Sequence, residues 1–427
     1  MKNYAKVAAL LGLSAATLSA SGFRIPEQSL NSTALSAAYV ANSNGADASY
    51  YNPANMVWND DVSEMEIAMT YINLTSVDYA DNADSTRNGD SKVENFYVPT
   101  FHYVSPAIGD WRFGLSLVAP GGLSKRWDEP FAKTFSEEFS LTILELNPTA
   151  AYKVNDKFSI GFGLRGVYTD GIVKSDGAAP ADLNADGTID SSVNVKRDMS
   201  GDSIDFGYNL ALSYKPIENL TLSTTYRSKV DLTVEGNAKL SNVVIASPFA
   251  PAGTVLGAYQ GSASVTIPLP ASLSLAVAYN FSRTTVEFVY ERTYWSSYKN
   301  LDFNYDSDLT GGALATFDEV KDKSWKDVNA YRIGVTHQLN DDIKLMAGFA
   351  IDNNPAPDST LGFELPDSDA KLYSAGIEYK LNSDMKIGLA YLYDDKESRS
   401  VTNTGGVNGT FTNSSAHLVT ASFKYKF

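Results

Sequence analysis

Residues 416–427 read AHLVTASFKYKF, and this stretch decides the fold of the chain. Apolar and polar side chains alternate strictly along it, and Val419, Phe423 and Phe427 belong to its apolar face. Alternation with a period of two residues predicts a β-strand that has one apolar and one polar face. Because an aromatic residue stands at the rim of the apolar stripe, the strand is typical of the aromatic girdle of a transmembrane β-barrel.

The same alternation recurs along the whole chain. In residues 343–352 the apolar side chains alternate with polar ones that include Lys344 and Asp352. Residues 220–235 are interpreted as one continuous strand, with Arg227 and Lys229 on its polar, inward face. A soluble protein with two packed sheets is the alternative, and the hairpin count and an export signal favour the barrel.

Short polar turns separate the predicted hairpins, and Asn, Asp, Gly and Pro are the residues that tight turns require. The six turns are residues 105–110, 155–157, 216–219, 280–283, 340–342 and 382–384. Longer polar stretches alternate with them, near residues 80–93, 122–138, 174–202, 236–262, 298–326, 353–370 and 395–415. Seven hairpins with this asymmetry predict an all-β fold, a fourteen-stranded antiparallel transmembrane β-barrel in a Gram-negative outer membrane.

The composition excludes several classes of function. The 427 residues include no cysteine, which excludes disulfides, thiol catalysis and cysteine-ligated metals. A formal net charge of −16 argues against nucleic acid as a partner. The histidines, His102, His337 and His417, lie in no catalytic motif, so we do not expect an enzyme.

The N-terminal part of the chain differs from the barrel pattern. Residues 1–20 predict a cleaved signal peptide, because Lys2 and Lys6 flank the start of an apolar stretch too short to span a bilayer as a helix. Residues 21–62 are rich in small and apolar side chains. Fourteen strands enclose a lumen that side chains alone do not fill, so this segment is predicted to plug it as a hatch, with the barrel over residues 63–427. A periplasmic tail is the alternative.

One predicted strand is interrupted by Ala119, Pro120, Gly121 and Gly122. Proline cannot donate a hydrogen bond to a neighbouring strand, and glycine within a strand marks a bulge or bend. In a barrel wall such an interruption can open a lateral gap. Alternatively, the strand ends there and a loop begins.

A possible calcium loop lies in the longest predicted loop of the barrel. Asp182, Asn184, Asp186 and Asp190 match the first nine positions of the pattern D-x-N-x-D-G-x-x-D. The twelfth position is Val193 instead of the usual glutamate. Calcium is therefore the one cofactor the sequence suggests, and an acidic turn without metal is the alternative.

Several short motifs, in this order, resemble the family of long-chain fatty acid outer-membrane transporters (FadL-like). Each is weak alone, but together they span nearly the whole chain. They are Ser21-Gly22-Phe23, Asn52-Pro53-Ala54, Tyr226-Arg227-Ser228, Leu269-Pro270, Ala330-Tyr331-Arg332-Ile333, Pro355-Ala356-Pro357 and Leu365-Pro366-Asp367.

The resemblance implies a barrel with an N-terminal hatch and passive uptake of a hydrophobic molecule. It implies that the ligand is captured outside, binds beside the hatch N-terminus and leaves sideways through a kinked third strand, here Ala119 to Gly122. The hatch N-terminus, with Phe23 and Ile25, would contact the ligand. Lys326 would be a partner for a carboxylate.

Further basic residues are candidates for binding an acidic headgroup. Arg227 and Arg332 lie on predicted inward faces, although inward arginines also pair with inward carboxylates across a barrel. The family has a second basic contact after the fifth strand, where this chain has Asp170 and only Lys174 nearby. The loss of this basic contact favours an alternative function, the import of aromatic or alkane hydrocarbons.

A surface adhesin or receptor barrel is the alternative from another class. The expected partners are a long-chain fatty acid or other hydrophobic small molecule and outer-membrane lipid, and we expect a monomer.

Overall fold

The computed structural model describes residues 22–310 and 312–427, so the predicted signal peptide lies outside the described residues. Fourteen antiparallel strands close into a barrel, as predicted, because the last strand pairs with the first from Glu64↔Lys426 to Leu74↔Ala416. The strands are β1 Glu64–Leu74, β2 Glu94–Val104, β3 Trp111–Arg126, β4 Glu138–Lys153, β5 Phe158–Ala181, β6 Ser191–Ile217, β7 in two segments (Leu220–Arg227 and Val230–Ala246), β8 in two segments (Val255–Leu269 and Ser272–Phe281), β9 Thr284–Thr293, β10 Val328–Gln338, β11 Ile343–Asp352, β12 Ala370–Lys380, β13 Met385–Lys396 and β14 Ser415–Lys426.

The connections are asymmetric. All six predicted turns join consecutive strands, and we call this end of the barrel the turn end and the opposite end the loop end. Two predicted loops are wrong, because most of residues 174–202 and 236–262 are strand. Strands β5 to β8 continue toward the loop end with their ladders intact, since small and polar side chains pair there as well as apolar ones.

The alternation of faces is confirmed in β14 and β11. In β14, Val419 is 37% exposed on the outer surface, whereas Thr420 is buried on the inner one. Strand β7 departs from the prediction, because its register against β6 shifts by one residue between its two segments. As a result Arg227 points inward, and Lys229 is exposed and pairs with Asp231 at 2.8 Å.

Short elements complete the structure. The helices are α1 Leu30–Ala34, α2 Ala48–Tyr51 and α3 Pro130–Ser136, with 3-10 turns at Pro53–Trp58, Ser85–Arg87, Trp295–Ser297, Ala315–Phe317 and Asp358–Thr360. Additional short strands are Asp78–Asp81, Gly89–Asp90, Asn300–Leu301, Phe303–Tyr305, Lys321–Asp322, Arg399–Thr402 and Asn408–Thr412. Among the described residues, no helix is long and apolar enough to cross a membrane.

Aromatic side chains hold the loops together at the loop end. Phe363 contacts the rings of Tyr79, Trp127 and Phe411 with centroids 4.9 to 5.6 Å apart. Trp127 is fully buried, and its Nε1–H donates to the carbonyl of Phe363 at 2.9 Å. We call this group the aromatic lid. It joins the segments that follow β1, β3 and β11 to the segment that precedes β14.

The segment before β1 packs inside the barrel against glycines of the wall. A Cβ on Gly348 would lie 2.1 Å from the carbonyl carbon of Leu35, and one on Gly388 would lie 2.0 Å from Leu30. Any larger residue would push the segment away from the wall, so these glycines allow the close approach. Helix α1 begins at an N-cap, where the Ser29 side chain accepts from the amide of Ser32.

Candidate ligand pocket and lateral gap

An apolar pocket lies beside the hatch N-terminus. It encloses about 330 Å³, including its mouth. Its walls come from the hatch, β3, β4, β8 and the loops at the loop end, and its lining residues are Phe23, Leu123, Phe139, Leu141, Ile267, Tyr298, Lys323, Trp325, Glu364 and Leu365. We call it the inner pocket.

A second apolar cavity of about 460 Å³ continues from the inner pocket, and we call it the outer cavity. The two share Phe139, Leu141 and Ile267 as lining residues. The wall of the outer cavity is thin, because Gly171, Gly201 and Gly236 line up across three neighbouring strands. Together the two cavities form a continuous apolar lining from the loop end to Phe23.

Phe23 is fixed by aromatic neighbours. Its ring meets that of Trp295 edge-on at 4.8 Å between centroids, and Trp325 lies at 6.3 Å. The preceding Gly22 has φ +72°, and a Cβ there would lie 2.7 Å from both tryptophans. Only glycine fits this conformation and this space. The Gly22 amide donates to the buried carboxylate of Asp367 at 3.3 Å.

One ion pair, Lys323 with Glu364, lines the inner pocket. Burial favours the neutral amine, but the Glu364 carboxylate outweighs it, so the pKa of Lys323 is raised. Burial likewise disfavours the Glu364 carboxylate, but the Lys323 charge outweighs it and the pKa of Glu364 is lowered. Both groups are therefore charged at neutral pH.

Strand β3 is kinked at the predicted position. Its register against β4 shifts between Val118 and Gly121, and the strand continues to Arg126. The alternative that the strand ends here is therefore wrong. Pairing of β3 with β2 covers only four residue pairs, ending at Phe101↔Leu117, so the two strands separate above the kink.

The hatch N-terminus fills this gap. The Ile25 amide donates to the Pro120 carbonyl at 2.9 Å, and the Gly122 amide donates to the Phe23 carbonyl at 2.9 Å. A Cβ on Gly121 would lie 2.8 Å from the Phe23 carbonyl oxygen. Phe23 thus contacts the inner pocket on one side and the gap in the wall on the other.

Gln28 and Ile25 close the gap from below. The Gln28 side chain accepts from the Ala119 amide at 2.8 Å, within the kink. Ile25 is 3% exposed and belongs to an apolar cluster with Phe96 and Val98 of β2. Ile25 therefore packs below the gap and is not part of the lining of either cavity.

Two arginines that the sequence offered for an acidic headgroup hold the hatch. Arg332 is 1% exposed, lies 3.1 Å from Asp352 and donates to the Ser36 carbonyl at 3.2 Å. Arg227 pairs with the buried Glu145 and lies 4.3 Å from the centroid of the Tyr50 ring. Both charges are already compensated by carboxylates of the wall.

Two predicted lysines lie elsewhere. Lys326 is exposed and outside the pocket, with its amide donating to the Pro355 carbonyl at 3.0 Å, and the lysine in the pocket is Lys323. Lys174 pairs with Glu138 at 3.0 Å, on the opposite face of β5 from the cavity-lining Val173. Neither is placed to bind a ligand in these cavities.

The motif Asn52-Pro53-Ala54 docks the hatch to β5 and β6. The Asn52 side-chain amide donates to the Val40 carbonyl and to the Ser213 hydroxyl, each at 2.9 Å. The Ala54 carbonyl accepts from Ser159 at 2.8 Å. The motif therefore positions the hatch, and none of its residues lines either cavity.

The predicted calcium loop is a tight polar turn at the tip of the β5–β6 hairpin. Its side chains accept from backbone amides of the same turn, with Asp182 accepting from Gly187 at 2.8 Å and Asp186 from Thr188 at 2.8 Å. Asn184 contacts Asp186, and Asp190 accepts from Ser191. Within residues 22–310 and 312–427, no three acidic or histidine side chains are grouped closely enough to hold a metal. This arrangement does not support a calcium site, and calcium binding stays an untested prediction.

Sequence reasoning missed the residues that line the inner pocket from the loops, among them Tyr298, Lys323, Trp325 and Glu364. They lie between strands, where no periodicity indicates which side chains point inward. The available signal was composition, since two tryptophans and a lysine occur in one long loop.

The comparisons with known proteins agree with this architecture. The family model described as outer membrane protein transport protein (OMPP1/FadL/TodX) matches residues 11–427. The chain belongs to this family. It is accordingly a multi-pass protein of the outer membrane. In this family's membrane the long loops face the cell exterior, so the loop end is the outer end.

Individual relatives are distant. The chain is 25% identical to a long-chain fatty acid transport protein of Escherichia coli O6:H1, over 68% of each chain. It is 24% identical to outer membrane protein P1 of Haemophilus influenzae, over 71% of this chain and 66% of that one. The chain thus spans about two thirds of the length of these relatives.

Solved structures share the fold. A Pseudomonas aeruginosa FadL homologue superposes with a TM-score of 0.80 at 19% identity, covering 95% of this chain and 100% of that chain. The toluene transporter TodX of Pseudomonas putida superposes with a TM-score of 0.71 at 21% identity, covering 93% and 98%. At these identities the likeness shows the fold alone.

Proposed function

We propose that this protein is an outer-membrane channel for the passive uptake of long-chain fatty acids or related hydrophobic molecules. The observation that carries the proposal is the apolar lining that runs from the outer cavity through the inner pocket to Phe23, directly beside the gap in β3. The ligand enters at the loop end, binds beside Phe23 and leaves sideways between β2 and β3.

Uptake by this route requires no external energy source. Burial of an alkyl chain stabilises the complex by roughly 0.8 kcal/mol per CH₂, so a long chain partitions strongly from water into an apolar cavity. The bilayer beyond the gap is equally apolar, so the ligand exchanges one apolar environment for another. The role is transport, and the protein acts as a monomer surrounded by outer-membrane lipid.

An importer of neutral hydrocarbons is the second candidate. It is favoured by the pairing of Arg332 and Arg227 with wall carboxylates, which leaves few charges for an acid. A surface adhesin would instead bind its partner through the loops and would not depend on the cavities.

Substitution of the shared cavity wall tests the proposal. Leu141→Glu places a charge where the two cavities meet, and Thr142→Glu places the same charge on the next residue of β4, which lines neither cavity. We expect cells that make the wild-type protein to take up radiolabelled oleate, the Leu141→Glu variant to lose uptake, and the Thr142→Glu variant to keep it. Resistance to unfolding in detergent at room temperature verifies that both variants form barrels.

Equal uptake by the two variants would contradict the proposed route. Uptake of labelled toluene but not of oleate, with the same dependence on Leu141, would assign the hydrocarbon importer. Surface binding without uptake in all variants would favour the adhesin.

A further inference from the structure

A polar pocket opens at the turn end of the barrel, and its lining is separate from that of the two apolar cavities. It encloses about 650 Å³, including its mouth. The hatch supplies one side, with Asn55 and Trp58, and β6 to β9 with their turns supply the other, with Lys215 and Thr285. We call it the turn-end pocket. Because the loop end is the outer end, this pocket faces the periplasm.

Lys215 of β6 is the cation of the turn-end pocket. Its Nζ lies 4.5 Å from the centroid of the Trp58 ring. Among the described residues, no carboxylate oxygen lies within 4.0 Å of this nitrogen, and Glu218 at the mouth is exposed. Arg227 and Arg332 differ from it, because each pairs with a carboxylate of the wall. A contact with a ring compensates only part of the cost of burying a charge, so the pocket favours an anionic group near Lys215.

The rest of the lining is mainly amide and hydroxyl groups, and many of them are not used by the protein. Asn55 is 4% exposed, and its Oδ1 accepts from no donor in the part of the chain that the structure describes. Its Nδ2 donates to three carbonyls of the hatch, which fixes the orientation of the amide. The Trp58 Nε1–H likewise has no acceptor there.

The same holds for polar side chains on both sides of the pocket. Within residues 22–310 and 312–427, the side chains of Asn42, Asn280 and Thr285 make no hydrogen bond. Amides both donate and accept, and so do hydroxyls. A ligand with several hydroxyls therefore matches this lining, whereas an alkyl chain does not. An inorganic anion would use Lys215 and leave most of the amides without partners.

We propose that the turn-end pocket binds a sugar that carries a carboxylate group. Lys215 pairs with the carboxylate, and the amides and hydroxyls of the hatch and the wall bind the sugar hydroxyls. This site lies apart from the apolar cavities, so the proposal goes beyond the uptake of hydrophobic molecules. A free acidic sugar of the periplasm and an acidic sugar unit of the cell-wall glycan present the same chemistry.

A ligand in this pocket stabilises the docked hatch. Ala41 and Asn42 line the pocket, and their amides donate to the Glu287 carboxylate at 2.6 Å and 3.1 Å. The ligand contacts the hatch and the wall together, so it binds only while the hatch is docked. Such a ligand shifts the equilibrium toward the docked state.

The test compares an acidic sugar with its neutral parent. Full-length protein purified in detergent is titrated calorimetrically with N-acetylmuramic acid, with N-acetylglucosamine, which lacks the lactyl carboxylate, and with lactate alone. Lys215→Gln removes the charge, Lys215→Arg retains it, and Thr285→Val removes one hydroxyl. Lys153→Gln is the matched control, because Lys153 lies at the same end, outside the pocket lining, and pairs with Asp156 at 2.8 Å.

We expect the wild type to bind the acidic sugar at least ~10-fold more tightly than the neutral one. Lys215→Gln should remove this preference and leave the Kd for the neutral sugar unchanged, whereas Lys215→Arg should keep it. Thr285→Val should weaken both sugars, and Lys153→Gln should change neither. The acidic sugar should also slow hydrogen exchange at the amides of residues 41–44 in the wild type.

Co-sedimentation distinguishes the two sources of the sugar. Binding of the wild type, but not of Lys215→Gln, to isolated cell-wall sacculi would assign the glycan. Binding of N-acetylmuramic acid without co-sedimentation would assign a free sugar.

Three results would overturn the proposal. Failure of the wild type to bind either sugar would show that the pocket is not a sugar site, and uptake of oleate would be unaffected by this outcome. Lactate binding as tight as that of the acidic sugar would show a site for anions only. Sugar binding that is the same in the wild type, Lys215→Gln and Thr285→Val would place the sugar outside the turn-end pocket.

Discussion

Glu287 of β9 is predicted to fasten the hatch to the barrel wall. One of its carboxylate oxygens accepts from the amides of Val40 at 2.7 Å and Ala41 at 2.6 Å, and the other accepts from the amide of Asn42 at 3.1 Å. Three successive amides of the hatch therefore converge on a side chain that is 2% exposed. We expect Glu287→Gln to loosen this turn without changing the barrel.

The magnitude follows from the three hydrogen bonds. A hydrogen bond to a charged group contributes about 1.5–3 kcal/mol, and a neutral one about 0.5–1.5 kcal/mol. The glutamine carbonyl can replace the oxygen that serves Val40 and Ala41, so each of these bonds weakens by about 1 kcal/mol. The glutamine NH₂ then faces the Asn42 amide, and loss of that bond costs a further ~1–3 kcal/mol.

Together these losses lower the free energy of local opening by about 3–5 kcal/mol. Since a factor of ten corresponds to about 1.4 kcal/mol, the amides of Val40 to Asn42 should exchange hydrogen for deuterium at least ~100-fold faster. Mass spectrometry of peptides from the purified protein measures this rate. Glu319→Gln, in an exposed loop at the loop end, is the matched control and should change nothing in the hatch.

Exchange at these amides within threefold of the wild-type rate would refute the reasoning. It would mean that packing against the wall glycines, and not the carboxylate, holds the turn. Faster exchange in the barrel strands as well would show a global loss of stability and would equally contradict a local role for Glu287.

Three further predictions concern the gap, the hatch and the lid. Gly121→Ala should break the hydrogen bond between the Gly122 amide and the Phe23 carbonyl, because the new Cβ would lie 2.8 Å from that oxygen. Hydrogen exchange of the Gly122 amide should therefore accelerate at least ~10-fold. Burial raises the pKa of Glu27 from 4.5 to about 7, so its contribution to stability is complete below pH 4.5 and is lost as pH rises through 7. Glu27→Gln should remove this pH-dependent loss of stability, which amounts to about 3 kcal/mol. The measurement is the change in hydrogen exchange of the hatch between pH 5 and 8. An unaltered pH dependence in the variant would exclude Glu27 as the source of the loss. Trp127→Phe removes the donor to the Phe363 carbonyl and should destabilise the aromatic lid by ~1–3 kcal/mol. We expect faster proteolysis of residues 353–369 in this variant. Unchanged cleavage would show that ring packing alone holds the lid.

The barrel was predictable because its signal is local and repeated. Strands β11 and β14 lie within the membrane, where the outer face must be apolar and the lumen is largely polar. Period-2 alternation there predicts both that the segment is a strand and which of its faces points outward. The turns were predictable for the same reason, since their residues satisfy a conformational requirement that does not depend on the rest of the fold.

The error in β7 has a physical cause. In its outer segment Val230, Leu232 and Val234 face an apolar cavity, whereas Asp231 faces the exterior. The rule that apolar side chains face outward is inverted there, because the outer surface meets water and the lumen does not. Apolar and polar side chains continue to alternate across the bulge, so the sequence resembles one regular strand. In the structure, however, the apolar side chains face outward before the bulge and inward after it.

The site was only partly predictable for a related reason. Phe23 lies in a short motif that resembles the family, and the kink at Gly121 was indicated by the proline and glycines that interrupt the strand. Lys323 has no such motif, and its environment depends on loops that fold over the lumen. No regular period relates Lys323 to Lys326, so the sequence could not decide which lysine enters the pocket.

The contacts of the hatch determine which part of it can move when a ligand binds. Outside the N-terminal segment, the hatch is held by buried charged groups such as Glu287 and Arg332, and each such attachment contributes several kcal/mol. The Phe23 segment is held to β3 by two neutral backbone bonds, which contribute about 2 kcal/mol together. Charged groups anchor the same segment elsewhere, because the Gly22 amide donates to Asp367 and Arg24 lies 3.1 Å from Glu291. A ligand shifts an equilibrium only by its differential affinity for the two states. Burial of three or four additional methylenes supplies about 3 kcal/mol, which is enough to break the two bonds to β3 but not the charged anchors. We therefore expect transport to open the wall at β3 while the charged attachments of the hatch, including those of Gly22 and Arg24, persist.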